Sequence, residues 1–360
     1  MLWFVFGLVA LVLGAELLVR GASKLALSMG ISPLVVGLTV VAFGTSAPEL
    51  AVSVQSAWSG QVGIALGNVV GSNMFNVLFI LGLSALIVPL VVHQQIIRQE
   101  VPVMIAASLL LWAMAADGGI SRWEGFLLAG LVVTYTLFII RQSRRETAAI
   151  RAEYDEAFEE TLTGWDAHWS VQALLLLSGL MLLVLGSRWL VEAAVTFAQF
   201  LGVSELIIGL TIVAVGTSLP EVATSIMAAL RGERDIAVGN VVGSNIFNIL
   251  SVLGFSASVA PGDLTVTPSM ISFDLPIMVA VAVACLPVFF NGACISRGEG
   301  ALFLALYLAY TLYLFLLAAH HDALNGYSMV MGGFVLPLVA VVIVVPAWRH
   351  WNRERARSDL

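Results

Sequence analysis

Residues 216–221 read Gly-Thr-Ser-Leu-Pro-Glu, and residues 239–248 read Gly-Asn-Val-Val-Gly-Ser-Asn-Ile-Phe-Asn. Both stretches place glycines and polar side chains in otherwise apolar sequence, and the first adds a carboxylate, Glu221. An ionised carboxylate in the centre of a hydrocarbon layer costs at least about 3 kcal/mol. Such costly groups inside an apolar segment indicate a functional site.

The same pattern occurs 172 residues earlier in the chain. Residues 44–49 read Gly-Thr-Ser-Ala-Pro-Glu, and ten of the twelve residues from Gly67 to Leu78 are identical to those from Gly239 to Leu250. The chain is therefore an internal duplication. Each copy contains one polar segment, residues 37–84 and residues 209–256, and we call these the two repeat segments.

The composition indicates a protein with many membrane spans. Of 360 residues, 60% are hydrophobic and only 11% are charged. No basic cluster with interleaved aromatic residues predicts nucleic-acid binding. The two cysteines, Cys285 and Cys294, form neither a metal pattern nor a disulfide framework. Since the sequence also has no nucleotide loop and no histidine-activated nucleophile, we predict neither an enzyme nor a resident cofactor.

Eleven segments are long and apolar enough to cross a bilayer, which takes about 20 helical residues. They lie near residues 2–20, 33–58, 64–90, 101–116, 123–141, 169–190, 205–229, 237–260, 272–291, 297–318 and 328–346. The repeat segments occupy the second and third spans and the seventh and eighth spans. Residues 142–168, between the fifth and sixth spans, are rich in charged side chains, which predicts a solvated cytoplasmic linker.

The positions of the basic residues predict the orientation of these spans. If the N-terminus lies outside, the inward loops and the C-terminal tail hold 14 of the 16 Lys and Arg residues. Five spans separate equivalent points of the two copies, and an odd number means that the copies enter the membrane from opposite sides. We predict an all-α membrane protein with two inverted five-helix repeats, 1–141 and 169–318. An eleventh helix and a basic cytoplasmic tail follow in residues 319–360.

Glu49 and Glu221 occupy equivalent places within two of these spans and need neutralisation. One arrangement pairs them with arginines, but Arg20 and Arg188, the nearest candidates, each have an acidic residue four positions away. A second arrangement keeps both carboxyl groups protonated. A third neutralises them with a bound cation, and the surrounding residue types favour this one.

Hydroxyl groups accompany each glutamate. Thr45 and Ser46 precede Glu49 by four and three residues, so all three side chains can share one helix face. The second copy repeats this spacing with Thr217, Ser218 and Glu221. Pro48 and its counterpart Pro220 leave carbonyl groups one turn earlier without their usual donor, around Thr45 and Thr217, with Ala42 and Ala214 next to them.

The second element of each repeat segment adds amides and further hydroxyls. Polar side chains recur there every four residues, at Asn68, Ser72 and Asn76 and again at Asn240, Ser244 and Asn248. Carboxylate, hydroxyl, amide and carbonyl oxygens are hard ligands that suit Na⁺ and Ca²⁺. Asn73 and Asn245 point elsewhere on these helices, and we predict that they cap or cross-link neighbours rather than bind an ion.

Glycines at a spacing of four indicate close helix packing in the same elements. Gly67 and Gly71, with Gly239 and Gly243 in the second copy, form small-xxx-small motifs. Because such motifs let helix backbones approach, they predict that the two repeat segments pack against each other.

The doubled pattern Gly-Thr-Ser-x-Pro-Glu and Gly-Asn-x-x-Gly-Ser-Asn-x-x-Asn resembles the α-repeats of the cation/calcium antiporter superfamily, and most of all its prokaryotic sodium/calcium exchangers. The resemblance covers about residues 1–318. It implies ten helices in two inverted halves, with the first and sixth helices sliding across a core. It also implies ion ligands, which by position are Thr45, Ser46, Glu49, Ser72, Asn76, Thr217, Ser218, Glu221, Ser244 and Asn248, with the backbone carbonyls of Ala42 and Ala214.

Two features depart from the family pattern. Some relatives carry aspartate at the last position of the second repeat segment, where Asn248 is neutral here. The site then has two formal carboxylates rather than three, which bears on proton involvement and on the number of Na⁺ ions. The eleventh span lies outside the family's usual ten and would place the C-terminus inside.

These observations predict a secondary active antiporter that exchanges Na⁺ for Ca²⁺ by alternating access, and that normally exports Ca²⁺ across the plasma membrane of a prokaryote. The alternative is a proton-coupled divalent-cation exchanger on the same scaffold. A passive channel and a non-transporting scaffold are weaker interpretations, because the inverted duplication favours alternating access and a scaffold leaves two buried glutamates unexplained. Beyond Na⁺, Ca²⁺, H⁺ as the alternative coupling ion and the lipid bilayer, no obligatory protein partner is evident.

Overall fold

A computed structural model describes residues 2–29, 31–144, 168–200, 214–319, 321–343 and 345. Its helices are α1 (Leu2–Met29), α2 (Pro33–Thr45), α3 (Ala47–Trp58), α4 (Val62–Ile87), α5 (Ile96–Asp117), α6 (Arg122–Arg144), α7 (Trp169–Phe200), α8 (Ala214–Gly216), α9 (Leu219–Leu230), α10 (Arg234–Val259), α11 (Met270–Phe290), α12 (Arg297–Ala318) and α13 (Ala323–Ile343). Most of the predicted linker, the first part of the predicted seventh span and most of the C-terminal tail lie outside the described residues.

The predicted class, an all-α protein with many membrane spans, is confirmed. Within the described residues, nine helices are long and apolar enough to span a membrane, and α2 with α3 forms a tenth span that is bent by 46°. The predicted seventh span is described only in its second part, as α8 and α9. The first and sixth spans run well past their predicted ends, with 28 residues in α1 and 32 in α7. Charged residues such as Arg20 end a hydrophobic window, but they do not end a helix.

Two small antiparallel ladders join the halves at their connecting loops. Four two-residue strands, which the sequence did not predict, are β1 (Leu90–Val91), β2 (Gly119–Ile120), β3 (Leu264–Thr265) and β4 (Cys294–Ile295). Strand β1 pairs with β4 and β2 pairs with β3, so each ladder takes one strand from each half. Helix α5 separates β1 from β2 along the chain, and α11 separates β3 from β4. Because both helices span the membrane, the ladders lie on opposite sides of it, as inverted repeats require.

Helices α4 and α10, which carry the second element of each repeat segment, form the centre of the molecule. The most apolar window of α10 is 100% buried and that of α4 is 72% buried, whereas the window of α12 is only 11% buried. Gly239 and Gly243 face α2, where an added Cβ would lie 3.1 Å from the carbonyl oxygen of Leu34 and 2.7 Å from that of Leu38. The predicted close approach is confirmed for this copy. The region of the second half that corresponds to α2 lies largely outside the described residues.

Helices α1 and α7 pack antiparallel along a line of glycines. A Cβ built on Gly7 would lie 2.8 Å from the carbonyl oxygen of Gly186, and one built on Gly186 would lie 2.8 Å from that of Gly7. Gly14 and Gly179 repeat this mutual approach at 2.8 and 2.9 Å. No side chain fits between the helices at these places, so the two long helices contact each other backbone to backbone.

Candidate ion-binding site

Each repeat segment has a helix break just before its glutamate. Ser46 has φ −79° and ψ 5°, and Ser218 has φ −90° and ψ 7°, so each serine ends one helical segment and begins the next. Proline follows within the first two positions of α3 and α9, where its missing N–H leaves no bond unmade. Glu49 and Glu221 therefore lie in the first turn of a helix, where the partial positive charge of the helix N-terminus favours a carboxylate.

The serines at the breaks bond across the two halves. Neither hydroxyl caps its own helix. Instead, the Oγ of Ser46 donates to Oε1 of Glu221 at 3.2 Å, and the Oγ of Ser218 donates to Oε1 of Glu49 at 2.8 Å. Both glutamates are 0% exposed. Helical spacing predicted a shared face for residues within one copy; the break instead turns each serine toward the glutamate of the opposite copy.

Several buried oxygen atoms around these glutamates have no hydrogen-bond donor among the described residues. They are Oε2 of Glu49, Oε2 of Glu221, Oδ1 of Asn76, Oδ1 of Asn248 and Oγ of Ser244. The Oγ of Ser72 lies in the same cluster and accepts from Ser218 at 3.2 Å. An unsatisfied buried acceptor is unfavourable by about 1–3 kcal/mol, and more when it is charged. A cation coordinated by these oxygens would remove the penalty from all of them together.

The threonines of the repeat segments bond to asparagines of the opposite half. Thr45 donates to Oδ1 of Asn240 at 3.1 Å, and Thr217 donates to Oδ1 of Asn68 at 3.3 Å. The hydroxyl of Thr45 also lies 3.3 Å from the carbonyl oxygen of Ala42, which in addition accepts from the N–H of Ser46 at 3.0 Å. Because the single hydroxyl proton of Thr45 serves one acceptor at a time, its bond to Asn240 leaves one lone pair of the Ala42 carbonyl open. For Ala214 the structure gives the backbone, at the start of α8.

Turns of π-helix begin where the last asparagine of each repeat segment lies. They run from Phe75 to Leu81 in α4 and from Asn248 to Leu253 in α10. A π turn is wider than an α turn and re-aims the side chains that follow, which is why such turns recur at functional sites. Both asparagines are buried, and the π turn that carries each one packs against the helix that carries the glutamate of the opposite half.

Asn73 and Asn245 cross-link the two halves, as the sequence predicted. The Nδ2 of Asn73 donates to the backbone oxygen of Asn245 at 3.2 Å, and the Nδ2 of Asn245 donates to the backbone oxygen of Asn73 at 3.3 Å. Their side-chain oxygens accept from Asn248 and Asn76 at 3.1 and 3.0 Å. The four asparagines therefore form one network between α4 and α10.

The ion pairs in the described residues do not support the arrangement in which arginines neutralise Glu49 and Glu221. Arg188 pairs with Glu192 at 2.8 Å, as predicted from their spacing. Arg20 lines a cleft of about 260 Å³ at one end of α1, together with Glu16 and Glu233. Glu16 forms an ion pair with Arg231 across two helices. Among the described residues, the side-chain oxygens of Glu49 and Glu221 either accept from a serine hydroxyl or have no donor, which favours protonation or a cation.

A third buried carboxylate, Glu100, was missed by the sequence analysis because the predicted fourth span began at residue 101. It is 0% exposed, yet Tyr135, Gln95 and Gln99 donate to its two oxygens at 2.7, 3.0 and 2.9 Å. The second half has a carboxylate–tyrosine pair in the corresponding place, Asp274 with Tyr310 at 3.0 Å. The sequence signal that could have revealed Glu100 is the recurrence of an acidic residue and a tyrosine in both copies. Donors reach both oxygens of Glu100, so neither oxygen is left unpaired as on Glu49 and Glu221.

No three His, Cys, Asp or Glu side chains cluster closely enough within the described ranges to hold a metal ion. A cation bound near Glu49 and Glu221 would therefore depend on two carboxylates and a larger number of neutral oxygens. A shell of about six to eight oxygens, charged and neutral, is normal for Ca²⁺. The polar side chains of this described cluster offer oxygen and no thiolate or imidazole, so the chemistry is that of a site for hard cations.

Comparison with known proteins agrees with this chemistry. The family model described as sodium/calcium exchanger protein matches residues 1–141 and 171–316. The inner membrane protein YrbG of Escherichia coli is 40% identical over 281 residues, covering 78% of this chain and 85% of YrbG. The sodium/calcium exchanger MaX1 of Methanosarcina acetivorans is 32% identical over 342 residues, covering 86% of this chain and 96% of MaX1.

A solved structure has the same fold. The sodium-calcium exchanger NCX_Mj, soaked with 10 mM Na⁺ and zero Ca²⁺, superposes with a TM-score of 0.72 at 30% sequence identity. The match covers 85% of this chain and 95% of NCX_Mj. With the family model matching most of the chain, the chain belongs to the sodium/calcium exchanger protein family and is a multi-pass membrane antiporter for cations that include calcium.

Proposed function

We propose that this protein exchanges Na⁺ for Ca²⁺ across the membrane and uses the Na⁺ gradient to export Ca²⁺. The observation that carries the proposal is the cluster of buried oxygens without donors, to which each half contributes one carboxylate, Glu49 or Glu221. Buried polar atoms are normally paired, so five unpaired oxygens that include one on each glutamate favour a bound cation. The printed names of MaX1 and NCX_Mj describe sodium and calcium as the exchanged ions of those proteins.

The proposed ligands divide into two groups by their contacts. The first group has unpaired buried oxygens and consists of Glu49, Glu221, Asn76, Asn248 and Ser244. The second group touches the first or its neighbours through hydrogen bonds and consists of Ser46, Ser218, Ser72, Thr45 and Thr217. A hydroxyl that donates one hydrogen bond keeps a lone pair for a cation. The backbone carbonyls of Ala42 and Ala214 complete the proposed set.

The charge of the site explains why Na⁺ and Ca²⁺ would exchange for each other. Two carboxylates are balanced by one Ca²⁺ or by two Na⁺, and a third Na⁺ would leave the site positive, because Asn248 is neutral. Na⁺ and Ca²⁺ therefore compete for overlapping oxygens. An empty site with two buried negative charges would cross the occluded state slowly. Calcium would then leave in one direction only when sodium moves in the other.

The architecture suits alternating access about this site. The glutamates lie on α3 and α9, in spans from two oppositely oriented halves, and these helices pack against the core helices α4 and α10. Helices α1 and α7 contact each other backbone to backbone along glycines, so they would move together in the sliding across the core that the family resemblance implies. We place the N-terminus outside and the C-terminus inside a prokaryotic plasma membrane, because this puts 14 of 16 basic residues on the inner side.

The coupling ion is tested by ⁴⁵Ca²⁺ uptake into proteoliposomes that contain the purified protein. We expect uptake when Na⁺ is inside and absent outside, no uptake when Na⁺ is equal on both sides, and no uptake under a pH gradient alone. Uptake under the pH gradient alone would instead establish the proton-coupled exchanger. Uptake without any counter-ion gradient, at a rate proportional to the Ca²⁺ gradient, would contradict exchange of either kind.

A further inference from the structure

We propose that Asn73 and Asn245 are positioning residues that fix the amide orientation of Asn248 and Asn76, so that the amide oxygens of those two residues face the ion. The inference rests on the proposed ligand role of Asn76 and Asn248. It concerns how the site is held and not which ion gradient drives the exchange.

The orientation of Asn73 is determined by acceptors alone. Its Nδ2 lies 3.2 Å from the backbone oxygen of Asn245 and 3.8 Å from the sulfur of Met278. A carbonyl oxygen and a thioether sulfur accept hydrogen bonds and cannot donate them. The NH₂ group of Asn73 must therefore face these two atoms, because the reverse orientation would oppose oxygen to oxygen. The oxygen of the amide then points to the other side.

Asn245 is held in the same way by the opposite half. Its Nδ2 lies 3.3 Å from the backbone oxygen of Asn73 and 3.4 Å from the sulfur of Met104. Met104 and Met278 are almost fully buried, at 1% and 2% exposure, so water does not replace these acceptors. The repetition in both copies shows that the arrangement belongs to the fold and is not an accident of one side chain.

A fixed amide oxygen on Asn73 selects the orientation of Asn248. The Nδ2 of Asn248 donates to this oxygen at 3.1 Å, which leaves Oδ1 of Asn248 on the far side of its amide. That Oδ1 is buried and has no donor among the described residues. Asn245 imposes the same outcome on Asn76, whose Nδ2 donates to it at 3.0 Å and whose Oδ1 is likewise unpaired.

The network explains why oxygen rather than nitrogen is presented to the cluster. An amide that could turn freely would spend part of its time with NH₂ toward the cation, which repels a positive charge. Each positioning asparagine acts on the ligand of the opposite half, since Asn73 holds Asn248 and Asn245 holds Asn76. Groups that orient a metal ligand commonly change metal affinity by about 10- to 100-fold when they are removed.

Equilibrium binding of ⁴⁵Ca²⁺ to the full-length protein in detergent, without Na⁺, tests the proposal. Asn73→Leu keeps the side-chain size and removes both hydrogen-bonding groups, so we expect the Kd for Ca²⁺ to rise about 10-fold or more. The decisive comparison repeats this change in an Asn248→Asp background. A carboxylate presents an oxygen in either orientation, so Asn73→Leu should there raise the Kd by less than about 3-fold, well under the change expected from loss of an orienting group. A fall in the Kd would also agree with the proposal, because leucine removes an oxygen that faces the new carboxylate.

A matched control separates positioning from a general structural role. In an Asn76→Asp background, Asn73→Leu should keep its full effect on the Kd, because Asn73 does not bond to the amide of Asn76. The mirror pair, Asn245→Leu with Asn76→Asp, should behave like Asn73→Leu with Asn248→Asp. An equal rise in Kd in every background would overturn the proposal, since it would show that Asn73 and Asn245 only stabilise the fold.

Milder variants serve if the leucine variants do not fold. Met278→Leu and Met104→Leu remove one acceptor each and should raise the Kd in the same direction but less, with the rise lost in the matched aspartate background. A rise that persists there contradicts positioning. The gradient experiment and the wild-type Ca²⁺ titration test the proposed function separately. Uptake driven by H⁺ would refute Na⁺ coupling. The role of Asn73 and Asn245 would still be decided by how far each leucine variant raises the Kd in each background.

Discussion

Glu221→Gln and Glu49→Gln are each expected to abolish Ca²⁺-dependent stabilisation and Ca²⁺ transport. Each glutamine keeps an oxygen that can accept from Ser46 or Ser218, but it removes one of only two charges that balance the ion. We expect the Kd for Ca²⁺ to rise by at least about 100-fold, or about 3 kcal/mol of binding free energy. The measurement is the shift in melting temperature of the detergent-solubilised protein on adding Ca²⁺, because a ligand stabilises only when its concentration exceeds its Kd.

Glu100→Gln is the matched control for these variants. Glu100 is as deeply buried as the other two carboxylates, but Tyr135 and two glutamines donate to its oxygens. The glutamine oxygen can still accept from Gln95 and Gln99, but the hydroxyl of Tyr135 loses its acceptor, so we expect a lower melting temperature without Ca²⁺. The increase on adding Ca²⁺ should be retained. An unchanged Ca²⁺ shift in Glu49→Gln or Glu221→Gln, or a lost shift in Glu100→Gln, would contradict the assignment of the ion site.

The second large effect is expected from Gly14→Val in the contact between α1 and α7. A Cβ at this position would lie 2.8 Å from the carbonyl oxygen of Gly179 and 2.8 Å from the nitrogen of Leu183. These are backbone atoms, which cannot turn away as a side chain can, so the helices must separate along their length. We expect a loss of about 3 kcal/mol or more in the free energy of unfolding, measured by denaturant titration in mixed micelles, and loss of Na⁺-driven uptake.

Gly130→Val controls for the intrinsic effect of valine in a membrane helix. Gly130 lies on α6 and is exposed, and a Cβ added there would have no atom of the described residues within 4 Å. The expected change in the free energy of unfolding is below about 1 kcal/mol, from helix propensity alone, with normal uptake. Equal losses in the two variants would mean that the glycine contact does not hold α1 and α7 together.

The repeat made much of the fold predictable. A period of 172 residues, combined with an odd number of spans between equivalent points, requires two halves of opposite orientation whatever the details of their packing. The ladders β1–β4 and β2–β3 agree with that requirement, although two-residue strands are too short to leave a periodic signal in the sequence. The lengths of α1 and α7 were underestimated, because hydropathy reports where the lipid ends and not where the backbone hydrogen bonds end.

Residue types alone singled out the glutamates, with the hydroxyls and amides beside them, as candidate ligands, because a carboxylate inside an apolar segment is costly unless it is neutralised. The inverted duplication and the hard-ligand character of the polar residues in the repeat segments also followed from the sequence alone.

Only the tertiary structure decided which oxygens meet. It paired Ser46 with Glu221 and Ser218 with Glu49, satisfied Glu100 while leaving one oxygen on each of the other two glutamates unpaired, and set Asn73 and Asn245 behind Asn248 and Asn76. The reason is physical: a helix break re-aims its side chains by an angle that spacing along the chain does not contain, and a hydrogen bond between halves depends on how two distant segments pack.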